Sequence, residues 1–201
     1  DVAVEEGVMV IADEIFTGLG RCGSMLASEQ LGLRPDIVCL GKILGGGLPL
    51  SACLSSQSVL SAWPENDGEA IHTNTFLGHP LSCATALAVL DVLEHLGVPE
   101  CARVLGSQLL SKLQESLEDT EKVLEVRGSG LMIGIELVTA DGSPWKGGAV
   151  RVAEAALGQG LILLPAGEHG HVVELTPSAF LSKKQVAHSV AVLSSIIQTI
   201  H

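Results

Sequence analysis

One lysine and one carboxylate stand out for the company they keep. Lys42 ends the run PDIVCLGK and is followed at once by ILGGG. Asp13 ends an earlier apolar run, GVMVIAD. Charged side chains are seldom set against apolar runs without a partner or a task. A partly buried lysine loses proton affinity, because burial disfavours its charged form. The neutral amine is then a nucleophile that can capture an aldehyde as a Schiff base. A carboxylate close by would keep the ring nitrogen of an aldehyde cofactor protonated, so that the ring draws electrons. Pyridoxal phosphate is the cofactor with that requirement. Open α/β sheets gather such groups at the carboxyl ends of their strands. The three glycines are expected to clear space there for cofactor and substrate. Two other readings of Lys42 compete. A phosphate loop fails on order: its glycines precede the lysine and Ser or Thr follows it, whereas Asp36 stands at the leading glycine's place and Ile43 follows. The bland alternative is a surface lysine with its stem laid on apolar neighbours.

The elements that must position these residues are legible in outline. Residues 7–14 and 36–41 read as buried strands, with the glycine-rich TGLGRCGS (17–24) and a short helix (24–33) between them. A loop and an apolar strand follow over 45–56. The centre of 56–79 is turn-rich at Pro64 to Gly68. Residues 80–97 read as a helix, with Pro80 suited to its first turn and Gly97 to its end. A second helix follows Pro99, with Ala102, Leu105, Leu109, Leu113 and Leu117 at helical spacing. Beyond it come strand–turn–strand (123–138), a loop (141–148), a helix (149–160), two short strands (161–167 and 171–177) and a terminal helix (182–200). Apolar strands with glycine loops at their ends predict a sheet covered on both faces. The expected organisation is an α/β large-domain part over 1–97, a helical connection over 98–122 and a small α+β domain over 123–201.

Bulk properties narrow the function. The chain has 201 residues, 47% of them apolar, enough for a real core. Its net charge is −12, which argues against a nucleic-acid phosphate surface and against an anionic membrane face. No charge-free apolar run is long enough to read as a membrane span, and no signal-peptide pattern opens the chain. Five cysteines without a CxxC pair read as reduced thiols, so the expected location is the cytoplasm, with the mitochondrion as the alternative. The first residue is Asp, inside what reads as a working element, so the expectation is part of a longer protein. The alternating histidines of EHGH (168–171) lack a third ligand nearby in sequence and read as a turn rather than a metal site. Cys22 beside Arg21 reads as a small loop residue rather than a reactive thiol.

VMVIADEIFTGLGRCGSMLASEQLGLRPDIVCLGKILGGGLPLSA resembles the signature region of class III, fold type I, pyridoxal-phosphate aminotransferases. HTNTFLGHPLSCATALAVL resembles the segment after it, and VRGSGLMIGIEL the start of that family's C-terminal small domain. The resemblance covers roughly residues 7–200. It implies that Lys42 forms the Schiff base and shuttles a proton between substrate and cofactor, that Asp13 pairs with the pyridine nitrogen, and that Ile15 packs on one face of the ring. It implies that Thr75 bonds the cofactor phosphate across a homodimer interface. The activity implied is transfer of an amino group from an amine or ω-amino acid to a 2-oxo acid. A lyase, an aminomutase or a non-catalytic truncated chain of this family are the alternatives. Arg21 matches a recurrent family arginine to which the sequence assigns no role.

Two departures from the family pattern bear on function. Family chains are about twice as long, and their N-terminal half carries the main phosphate loop, the ring-stacking aromatic and part of the substrate pocket. Many members also place an arginine on the substrate carboxylate in the segment matching HVVELTPS, where this chain has Glu174. A carboxylate there repels a carboxylate substrate, which favours an amine or diamine donor. A Glu174 turned to solvent is the alternative. His79 stands at the family's usual Asn and is expected to alter only a turn.

Overall fold

The computed structural model describes residues 2–63, 68 and 72–200. Most of the turn expected at Pro64 to Gly68 lies outside them. In chain order the elements are α1 (Val2–Glu5), β1 (Ile11–Asp13), α2 (Ala27–Gln30), β2 (Ile37–Leu40), a 3-10 turn (Lys42–Gly45), β3 (Ala52–Ser55) and α3 (Gln57–Leu60). Then come α4 (Pro80–His95), α5 (Val98–Leu117), β4 (Val123–Ser129), β5 (Met132–Leu137), α6 (Gly148–Leu157), β6 (Leu164–Ala166), β7 (Val172–Leu175) and α7 (Lys183–Thr199). The chain divides into two compact units: residues 1–20 with 24–99, and residues 21–23 with 100–201.

The first unit holds a three-stranded sheet in the order β1-β2-β3, with β1 parallel to β2 and β3 antiparallel to it. Its core is small. Leu19, Leu40, Leu44, Ala86 and Leu93 are buried, with Val38, Leu50, Ala52, Val89 and Leu90 packed against them. The sequence predicted a long strand over 7–14, buried on both faces. The structure keeps three residues of it, and Ile11 is 62% exposed. An apolar run reads as buried wherever it lies, but its burial depends on what packs over it. α4 starts at Pro80 as predicted. His79 Nδ1 accepts the Ser82 N–H at 3.3 Å, so this residue caps the helix and does more than alter a turn.

The second unit holds an antiparallel sheet in the order β4-β5-β7-β6. β6, at the sheet edge, carries Pro165, where a missing N–H costs least. The inward residues of β5 (Ile133, Ile135, Leu137) and β7 (Val173, Leu175) meet Leu109, Leu113 and Leu117 of α5, Val152 and Ala156 of α6, and Leu193 and Ile197 of α7. The predicted α5 stripe is therefore a core face. Ser182 and Gln185 form a reciprocal capping box at the start of α7. Among the described residues, no single helix is long and apolar enough to cross a membrane.

Two glycines set a close packing point in this unit. Gly130, at φ +54, turns β4 into β5. A side chain on Gly106 of α5 would lie 1.9 Å from the Gly130 carbonyl, and one on Gly130 would lie 2.4 Å from the Cys22 backbone. Three backbones meet there, and only glycine lets them.

Candidate active site

The parallel pairing of β1 and β2 brings the two singled-out residues to one end of the sheet. Asp13 is in register with Cys39, and Lys42 follows three residues later, at the carboxyl end of β2. Asp13 is exposed. Its Oδ1 accepts the Ile15 N–H at 3.0 Å, which turns the chain sharply after β1. Ile15 packs on Gly41, where an added Cβ would lie 3.2 Å from Ile15 Cγ2. Lys42 holds φ 48, a left-handed conformation uncommon outside glycine, which Leu19 also adopts. Lys42 is exposed, not partly buried as its apolar sequence setting suggested, and its Nζ stands 4.0 Å over the Phe16 ring. Phe16 was not singled out in the sequence. The available signal was one of only three phenylalanines, directly after Ile15.

The segment between the two strands is stapled by Glu14. Its side chain is buried and accepts the Ser28 N–H at 2.7 Å, the Ala27 N–H at 3.1 Å and the Thr17 hydroxyl. Burial pushes this carboxyl up, but the Thr17 hydroxyl and the two backbone donors outweigh it, so it titrates below its ordinary value of 4.5. Glu14 thus has a structural role, fixing the segment after β1 to the start of α2.

The three glycines after Lys42 divide the work. Gly45 is buried against Leu50, and Gly46, at φ +59, would place a side chain 2.8 Å from Val89 of α4. The Thr85 hydroxyl donates to the Gly45 carbonyl at 2.9 Å. Gly47 alone has open space around it. Two of the three therefore seat the Lys42 loop on α4 rather than clear room for a ligand.

Thr75 is exposed in the turn before α4, and its hydroxyl makes no hydrogen bond among the described residues. Within the second unit, Glu174 is half-buried on β7, in register with Gly134 and Leu164. There its charge bears on Arg21. Arg21 donates to the Pro177 carbonyl at 2.7 Å, while its own carbonyl accepts the Leu131 N–H at 2.9 Å. Burial pulls the guanidinium down, and Cys22 and Glu174 hold it up. The arginine without a role in sequence is thus a tie between residues 21–23, the β4–β5 turn and the segment after β7.

The residues present fit pyridoxal phosphate on two counts. Among the described residues the Lys42 amine has no ion-pair partner, and Asp13 Oδ2 accepts no hydrogen bond. An amine and a carboxylate at neighbouring strand ends, each free to take up a ligand, are the pair such a ring requires.

A family model for class-III aminotransferases matches residues 1–197. The acetylornithine aminotransferase of Methanothermobacter thermautotrophicus is 35% identical over 197 residues, covering 98% of this chain and 47% of that protein. The putrescine aminotransferase of Pectobacterium atrosepticum is 44% identical over 134 residues, covering 66% of this chain and 28% of that protein. Among solved structures, a PLP-bound amine transaminase from an uncultivated Pseudomonas species superposes with a TM-score of 0.87 at 38% identity, over 98% of this chain and 46% of that one. The chain spans about half the length of such relatives. With its glycine-loop lysine and strand-end aspartate in place, the chain belongs to the class-III aminotransferases, a family generally dependent on pyridoxal phosphate.

Proposed function

We propose that this chain carries the lysine-bearing part of a transaminase that moves an amino group from an amine or ω-amino acid to a 2-oxo acid. The observation that carries the reading is the placement of Lys42 and Asp13 at the carboxyl ends of parallel β1 and β2, each with its polar atoms available. Pyridoxal phosphate, when bound, supplies an aldehyde and an electron-withdrawing ring. Lys42 Nζ would hold the group through its aldehyde, and its amine would carry a proton to and from the substrate carbon. Asp13 accepts the ring N–H and keeps that nitrogen protonated. Ile15, fixed on Gly41, closes one side of the ring. Thr75, with its hydroxyl uncommitted, bonds the phosphate of a second subunit in a cytoplasmic homodimer. Glu174 disfavours a donor carboxylate, so amines and diamines are the preferred donors; the names of the putrescine and amine transaminase relatives agree with that choice, while the acetylornithine and 4-aminobutyrate relatives are named for donors that carry a carboxylate.

The test is spectral. The purified chain is mixed with pyridoxal phosphate, its visible spectrum recorded, and the adduct fixed with borohydride and mapped by mass. A yellow band that becomes a phosphopyridoxyl adduct on Lys42, absent from Lys42→Ala, is the expected result. No band, or an adduct equally abundant in Lys42→Ala, overturns the reading. A donor panel with pyruvate and 2-oxoglutarate then tests Glu174. A second reading, that these 201 residues bind poorly and turn over little by themselves, is supported by the exposed Val8, Met9, Ile11 and Leu54 of the first unit.

A further inference from the structure

The strand register sets two cysteines side by side. Cys39 of β2 is paired directly with Cys53 of β3, and on its other side with Asp13 of β1. Residues directly opposite in a sheet share a face, so Asp13, Cys39 and Cys53 form one row. Both thiols are free; Cys39 is half-buried and Cys53 exposed. Opposed residues of an antiparallel pair have Cα atoms about 4.5–5.5 Å apart. A disulfide spans about 4.4–6.8 Å between Cα atoms. The ladder is regular on both sides, with Leu40 opposite Ala52 and Val38 opposite Leu54, so the pairing holds the two Cα atoms at this spacing.

We propose that Cys39 and Cys53 are a dithiol modification site, closed to an intrachain disulfide by exchange with a low-molecular-weight disulfide, and that the closed form slows cofactor capture at Lys42. Exposed Cys53 attacks first, as thiolate, on one sulfur of the small disulfide. One small thiol leaves, and a mixed disulfide remains on Cys53. Cys39 then loses its proton and attacks the Cys53 sulfur, expelling the second small thiol. The chain is oxidised by two electrons and loses two hydrogens, and the small disulfide is reduced to two thiols. Desolvation, then Cys53, then Asp13 push the Cys39 thiol up, which lowers its thiolate fraction and leaves the first attack to the exposed Cys53.

The covalent ring so formed runs from Cys39 to Cys53 and contains Lys42 and all three glycines of its loop. It ties down the segment whose lysine already holds a left-handed backbone, and sets a rigid bridge in the same row as Asp13. A small displacement of a covalent-capture group costs rate steeply. This consequence rests on the reading of Lys42 and Asp13 given above; the disulfide does not.

The experiment treats the reduced full chain with excess oxidised glutathione, blocks remaining thiols with N-ethylmaleimide and maps peptides by mass. The expected product links the peptides of Cys39 and Cys53, with two hydrogens lost, and is absent from Cys53→Ser. Glutathione remaining on Cys53, or no Cys39–Cys53 link, overturns the site. Capture of pyridoxal phosphate on Lys42, read as the borohydride-fixed mass against time, is then compared in reduced and oxidised chain. Capture slowed about tenfold or more, restored by dithiothreitol and unaffected in glutathione-treated Cys53→Ser, is expected. Equal rates overturn the consequence. A reduced chain that captures nothing, with the link present, overturns the reading of Lys42 and leaves the dithiol site standing.

Discussion

The two units are finished to different degrees. Among the described residues, the second buries a continuous core of sixteen residues, with Leu113, Ile135, Leu137, Leu193 and Ile197 wholly out of water. The first, which holds Lys42 and Asp13, has a core of five, and leaves Ile11 at 62% and Leu54 at 52% exposure. At about 25 cal/mol per Å² of apolar surface buried, this difference decides which unit holds itself together. The second unit is stabilised by its own packing. The first is held more by polar staples, above all Glu14 and Thr85, and its sheet leaves apolar surface in water. The proposed chemistry thus falls on the less fully packed unit, where capture of a cofactor would have most ordering to add.

The sharpest way to break this comparison is at the glycine contact of the second unit. Gly→Ala inside a helix ordinarily stabilises by about 1 kcal/mol. At Gly106 the sign reverses, because the new methyl meets the Gly130 carbonyl, which is backbone and cannot swing away. Gly106→Ala is expected to cost about 3 kcal/mol or more, read as a lowered midpoint in urea. A neutral or stabilising result would show that the β4–β5 turn is not fixed against α5. Ile135→Ala, in the same unit, is expected to cost about 2–5 kcal/mol.

Next in size is Glu14. Because its folded carboxyl titrates below 4.5, the unfolded state binds more protons in that range. Its contribution is fully present above the unfolded value and is lost as pH falls through the lower, folded value. Glu14→Gln turns an amide group toward the Ser28 and Ala27 donors and is expected to cost about 1–3 kcal/mol at neutral pH. It is also expected to flatten the acid limb of stability below about pH 4.5. An acid limb unchanged in the variant would remove Glu14 from the account.

Much of this was legible in sequence where the cause is local. Pro80, Gly97 and the Ala102–Leu117 stripe mark helices, because capping and periodicity act within a few residues. The strand-end placement of Lys42 and Asp13 was legible for the same reason: each sits at the end of one short element. What stayed hidden is long-range. That Arg21 ties to Pro177, that Gly106 meets Gly130 and that Cys39 faces Cys53 all depend on pairings between distant segments. Antiparallel register is one such quantity, since shifting it by one residue would send every side chain of β3 to the other face. The length of β1 was overread because an apolar run does not reveal whether anything packs on it.

The smallest effect is also the most direct probe of the unfinished face. Leu54 pairs with Val38 in the first sheet, yet half its surface remains in water. Thr is β-branched and suits a strand at least as well as Leu, so backbone preference is preserved while apolar surface is removed. In the isolated chain Leu54→Thr is expected to change stability by no more than about 0.5 kcal/mol, as for ordinary surface positions. Set beside Ile135→Ala, that gives a several-fold contrast between apolar residues of the two sheets. If the longer chains of the family cover this face, the same substitution made in one of them should cost distinctly more. A cost near 2 kcal/mol in the isolated chain would mean that Leu54 is already covered, by self-association for example, and a sedimentation measurement would then show a species larger than the monomer.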